Sequence, residues 1–163
     1  MLNLPELQVE QNINIKTPKA IIEGTISGPE EAVGIILFAH SAGSSRLNPQ
    51  NQYIAESLHQ DGFATLMIDL LTPEEERLDV LGKLSFDIPL LAGRLDCAAD
   101  WVSMNDSTAH LKIGYFGVGT GAAAALLASL QRPDTLGAIV ARGGRIDLAE
   151  HVLPEVKPPT LFI

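Results

Sequence analysis

The hydrophobic rhythm of the chain changes near residue 34. From Gln8 to Ile15, Val9, Ile13 and Ile15 stand among polar neighbours, and this alternation predicts a half-buried strand. Thr17-Pro18 interrupts it, and a second strand is predicted from Ala20 to Ile26, closed by Gly28-Pro29. Two strands joined by a short turn form an antiparallel pair. Beyond that point the apolar stretches become continuous. Gly34–Ala39, Phe63–Ile68 and Leu136–Ala141 have strand length and no polar face, as expected of strands covered on both sides.

Helical signals alternate with these runs. Asn48 can cap a helix with Pro49 at its first position, Tyr53, Ile54 and Leu58 repeat at helical spacing, and Asp61-Gly62 ends it. Thr72-Pro73-Glu74-Glu75-Glu76-Arg77 reads as an acidic loop or short helix. Asp87 opens a longer helix to about Asn105, with Pro89 in its first turn and Ile88, Leu91, Leu95, Ala98 and Val102 forming one core-facing stripe. A short helix is predicted over Ile146–Val152, and Pro158-Pro159 introduces Thr160–Ile163, which begins like another strand. The pattern predicts an α/β fold: a mostly parallel sheet joined by right-handed crossovers, helices on both faces, and an antiparallel N-terminal strand pair. No repeat or linker divides it, so residues 1–163 are read as a single domain.

The segment from Ile113 to Arg132 is the most informative. An apolar strand runs into Gly117-Val118-Gly119-Thr120-Gly121, and a helix then opens on four alanines, Ala122 to Ala125. Strand, glycine-flanked sharp turn and helix is the context of a nucleophile elbow, G-x-S-x-G. The central position here is Gly119, which has no side chain with which to attack. In an open α/β sheet ligands bind beyond the carboxyl ends of the strands. Four loops should therefore share one rim: His40–Arg46, Asp69–Glu76, Gly117–Gly121 and Arg142–Arg145. On that rim the backbone N–H of Thr120, at a helix N-terminus, is placed to stabilise an oxyanion, with Ala42 or alternatively Ser41 supplying the second N–H. The Thr120 hydroxyl, one residue along, should point elsewhere.

Four histidines are present. His59 falls within a helix, His110 lies at the opposite end of the sheet, and His151 follows Asp147 at helical spacing in a surface setting. His40 is on the rim, in the oxyanion-loop position, where a hydrogen-bonded loop organiser is the simpler role. Arg142 and Arg145 either pair with Asp69 or Asp147 or hold an anionic substrate group. His40 with Asp69 lacks a third partner at metal-ligand spacing, so neither metal nor other cofactor is implied. Gly117–Ala122 also fits the G-x-G-x-x-A dinucleotide fingerprint, but the next strand ends in Arg142 rather than an acid, and the fingerprint normally lies in the first βα unit.

Composition narrows the function classes. Twenty acidic and 11 basic residues give a formal charge of −9, which argues against nucleic acid or an anionic membrane as partner. The single cysteine, Cys97, cannot form an internal disulfide and is read as a small core residue. Met1–Glu6 lacks a basic region and a long apolar run, so no signal peptide is expected; no apolar run reaches membrane-spanning length, and a cytoplasmic protein is expected.

Several stretches together resemble the dienelactone-hydrolase-like branch of the α/β-hydrolase superfamily, in particular bacterial hydrolases of which some are fused to phosphoribosyltransferase domains. They are His40-Ser41-Ala42-Gly43-Ser44-Ser45-Arg46, Asp69–Glu76, Phe86-Asp87-Ile88-Pro89-Leu90-Leu91, Gly114-Tyr115-Phe116-Gly117 and Arg142-Gly143-Gly144-Arg145. The elbow of that group typically reads Gly-Ala-Ser-Thr-Gly. Gly117, Thr120 and Gly121 match it, Val118 replaces alanine, and Gly119 replaces the nucleophilic serine. The resemblance implies hydrolysis of an ester, lactone or similar acyl bond, with a small-molecule substrate. It also implies an acid and a histidine on segments past Ile163, so this domain is expected to be incomplete and inactive as written. An incomplete sheet implies self-association through its exposed edge and face. A non-catalytic binding or assembly module and a dinucleotide-binding domain are the alternatives.

Overall fold

A computed structural model describes residues 9–163. The reading of Met1–Glu6 and the Gln8 end of the first strand lie outside the described residues. The N-terminal stretches form β1 (Val9–Lys16) and β2 (Ile21–Gly28), paired antiparallel from Val9 opposite Gly28 to Lys16 opposite Ile21. The continuous apolar runs become β3 (Ile35–Ala39), β4 (Ala64–Ile68), β5 (Ile113–Val118) and β6 (Leu136–Arg142), and Thr160–Phe162 forms β7. Among the described residues these seven strands make one sheet in the order β1-β2-β4-β3-β5-β6-β7. From β4 to β7 every pairing is parallel; β2 also lies antiparallel against β4, so the antiparallel part extends beyond the N-terminal pair by one junction.

The helices are α1 (Pro49–Gln60), α2 (Pro73–Leu78), α3 (Ile88–Met104) and α4 (Thr120–Ser129), followed by a 3₁₀ segment, Ile146–Glu155, where a short helix is predicted. Their starts are set by local chemistry. Asn48 Oδ1 accepts the N–H groups of Gln50 (3.0 Å) and Asn51 (3.2 Å), and Asp87 Oδ1 accepts that of Leu90 (3.0 Å). Thr72 and Glu75 form a reciprocal capping box, which makes the acidic Pro73–Leu78 stretch helical rather than loop.

The central strands send alternate side chains to two cores. Leu37, Leu66 and Tyr115 join α3 and α4 in the larger one, whereas Phe38, Met67 and Phe116 meet Ala55, Ile54 and Leu58 of α1 on the other face. That two-sided burial is why these strands lack a polar face. Cys97 is half-buried against the larger core, and burial pushes its thiol pKa up. At the far edge, Leu161, Phe162 and Ile163 are exposed. Among the described residues no helix is long and apolar enough to cross a membrane.

Candidate functional site

The parallel register brings the carboxyl ends of the strands together. Ala39 lies beside Gly117 and Val118 beside Arg142, and the loops that follow meet at one rim. The turn between β5 and α4 depends on glycine through close approach. A Cβ on Gly117 would lie 2.5 Å from Ala122 Cα, and one on Gly121 would lie 2.5 Å from the His40 carbonyl oxygen. Only glycine lets the start of α4 pack this tightly on β3 and β5.

Gly119 is the N-cap of α4, with φ 59° and ψ −123°. A left-handed φ at one residue between a strand and a helix is the strained geometry that raises a side chain above the sheet. Here the residue in that conformation has no side chain to raise. The turn is held by the backbone: the Gly119 N–H donates to the Arg142 carbonyl (3.4 Å), and its carbonyl accepts from the Arg145 N–H (3.0 Å). Thr120, the first residue of α4, has an N–H with no acceptor inside the helix.

The loop after β3 is tied down at several points. His40 Nε2 accepts the Leu70 N–H (2.9 Å), and its Nδ1–H donates to the Ser41 carbonyl (2.9 Å). Both ring nitrogens of this buried histidine are thereby committed to backbone, which places it as an organiser of the loop and leaves no lone pair for a substrate proton. The Ala42 N–H donates to Thr120 Oγ1 (2.9 Å), so the threonine hydroxyl turns toward the loop. Asp69, buried at the end of β4, accepts the Arg46 N–H (2.7 Å) and pairs with the Arg46 guanidinium, which also reaches Glu23 (2.8 Å). Arg145 pairs with Asp147 (2.8 Å) and holds its carboxyl below the usual range; the Arg145 guanidinium lies 5.9 Å from the Phe86 ring. Arg142 is half-buried on the rim.

A cleft of about 190 Å³ opens beneath this rim, walled by His40, Ser41, Ala42, Leu70, Glu76 and Thr120. Its outer side is formed by Asp79, which accepts the N–H groups of Leu84 (2.9 Å) and Ser85 (2.8 Å) and the Ser85 hydroxyl. Arg94 of α3, 2 % exposed, donates to the carbonyl of the wall residue Leu70 (2.8 Å) and to both oxygens of Glu75 (2.6 and 2.7 Å). This bidentate contact holds the Glu75 carboxyl below its usual range and fixes the guanidinium that bonds Leu70, a residue of the cleft wall.

Of the rim candidates, Ser41, Ala42, Thr120 and His40 come together around the cleft, with Gly119 directly behind Ser41. Asp69 and Arg145 are occupied by Arg46 and Asp147. The Arg94–Glu75 anchor was not marked by spacing, although an arginine between Leu91 and Leu95 in an apolar stripe is a signal that it must be paired.

No family model matches the chain. A dienelactone hydrolase from Anabaena variabilis, known from its crystal structure, is 51 % identical and superposes with a TM-score of 0.91, over 95 % of this chain and 72 % of that one. A cold-adapted esterase from an Arctic intertidal metagenomic library shares the fold at 13 % identity, with a TM-score of 0.75 over 95 % of this chain and 71 % of its own. Two strains of Mycobacterium tuberculosis carry a protein whose name proposes a phosphoribosyl transferase; it is 45 % identical over 154 residues, 94 % of this chain. The chain spans about a third of the length of those curated relatives, 34 %.

Proposed function

This chain belongs to the dienelactone hydrolase-like α/β-hydrolases, and we propose that its cleft takes an ester, lactone or similar acyl compound that the elbow itself does not cleave. The observation that carries the reading is Gly119: it has the backbone of a nucleophile elbow, φ 59° and ψ −123° at the cap of α4, and no side chain. The carbonyl of the ligand lies over the Thr120 N–H, where the start of α4 favours negative charge. In a working hydrolase this donor is worth roughly 3–4 kcal/mol in the transition state. Here it serves binding, because removing the nucleophile leaves the pocket and the Thr120 N–H in place, whereas the Ala42 N–H, expected as the second donor, is already given to the Thr120 hydroxyl. The Mycobacterium tuberculosis relatives are about three times as long as the stretch they share with this chain, and the transferase in their name is not carried over to it.

A titration with a small lactone, followed by the backbone amide signals of the isotopically labelled chain, tests this. Saturable shifts at Thr120, Gly121 and Ala42, with the lactone recovered intact, are expected. Ring opening above the buffer rate, or shifts absent from these amides, would overturn it.

A further inference from the structure

We infer that Ser41 and position 119 share one seat, so that only one of them can carry a side chain. This rests on reading Gly119 as the nucleophile position. A Cβ built on Gly119 falls 2.7 Å from Ser41 Cβ and 3.5 Å from Ser41 Cα. Two carbons at 2.7 Å overlap, and the atom in the way is a Cβ fixed to the backbone rather than the tip of a flexible chain.

The loop that carries Ser41 has little freedom to move aside. His40 is bonded to Leu70 on one side and to the Ser41 carbonyl on the other, the same carbonyl accepts the Ser44 N–H (3.0 Å), and Ala42 is bonded to Thr120. Displacing Ser41 means breaking hydrogen bonds on both sides of it.

Ser41 fills the seat without supplying the missing hydroxyl. Its Oγ lies 3.9 Å from the Cβ built at 119, farther than its own Cβ. A serine at the elbow would hold its Oγ one C–O bond, about 1.4 Å, from that Cβ, and staggered rotamers only swing it about the bond before. The two hydroxyls therefore occupy different points, and Ser41 locks the elbow empty rather than taking over the attack. Restoring a side chain at 119 requires position 41 to give one up.

Thermal melting of Gly119→Ser in three backgrounds, the unchanged Ser41, Ser41→Ala and Ser41→Gly, tests the shared seat. The strain of a left-handed serine is common to all three and cancels. The alanine substitution keeps the obstructing Cβ and the glycine substitution removes it. The loss of melting temperature caused by Gly119→Ser is measured in each background against the parent that retains Gly119. It should be smaller in the Ser41→Gly background by about 5 °C or more, and unchanged in the Ser41→Ala background. A Gly119→Ser single variant that does not fold while the Ser41→Gly, Gly119→Ser pair melts cooperatively is the extreme form of the same result. Equal losses in all backgrounds, or rescue by alanine as good as by glycine, would overturn the inference. Melting reads the packing without any ligand, so failure of lactone binding at Thr120 would remove the proposed function and leave this result standing.

Discussion

The Ala42 N–H donates to the Thr120 hydroxyl across 2.9 Å, joining the loop after β3 to the first residue of α4. Thr120 is 2 % exposed, so its hydroxyl has no water to replace this partner. Thr120→Val takes the acceptor from the part-buried Ala42 N–H, should cost about 1 kcal/mol, and should speed exchange of the Ala42 amide. Thr120→Ser should restore both. Denaturant unfolding and amide hydrogen exchange read the two effects.

Glu75 and Arg94 brace Leu70, a residue of the cleft wall. Glu75→Ala leaves a nearly fully buried guanidinium with only the Leu70 carbonyl, and should destabilise the chain by about 3 kcal/mol. The folded carboxyl is held below its ordinary value of 4.5, mainly by the Arg94 hydrogen bond. Its contribution is therefore complete above pH 4.5 and is lost as pH falls through the lower folded value. Acid unfolding followed by circular dichroism should show Glu75→Ala already weakened near neutrality, with a shallower decline in acid than the parent.

His59 should make stability fall as pH drops through 6.5 toward its lower folded value. It is 6 % exposed, with Nε2 within 2.8 Å of Thr65 Oγ1, and burial pushes its pKa below the ordinary 6.5, opposed in part by Glu56. Between the lowered value and 6.5 the unfolded chain binds a proton that the folded chain refuses, so acidification favours unfolding there. The denaturation midpoint of His59→Asn should decline less over this range than that of the parent. Parallel curves would contradict the assignment.

The β7 edge should drive self-association of the 163-residue chain. Leu161, Phe162 and Ile163 are 56 %, 48 % and 67 % exposed, and β7 pairs only with β6 among the described residues. An apolar strand edge with unpaired N–H and C=O groups is a template for a second strand. Light scattering at micromolar concentration should give a dimer or larger species, and Leu161→Lys should reduce it. A monomer throughout would contradict the expectation.

The sheet was legible because its code is local. Continuous apolar runs such as Ile35–Ala39 mark strands buried on both faces, and Asn48-Pro49 and Asp87 mark helix starts through single hydrogen bonds. The sharp turn between β5 and α4 was legible for the same reason: Gly117 and Gly121 sit where any side chain would collide. The 3₁₀ course of Ile146–Glu155 was not, since Pro154 and packing against α4, rather than spacing, decide it. Nor were the partners of the rim residues. Asp69 meets Arg46 rather than Arg142 or Arg145, and Ser41 meets Gly119, through contacts between segments far apart in the chain that no local pattern encodes.

On the proposed reading, Gly119 leaves the turn between β5 and α4 without a nucleophile. Incubation of the chain with a fluorophosphonate, followed by intact-mass measurement, tests it most directly. An unmodified mass is expected under conditions that label an active serine hydrolase completely. A stoichiometric adduct on any hydroxyl of the chain would contradict it.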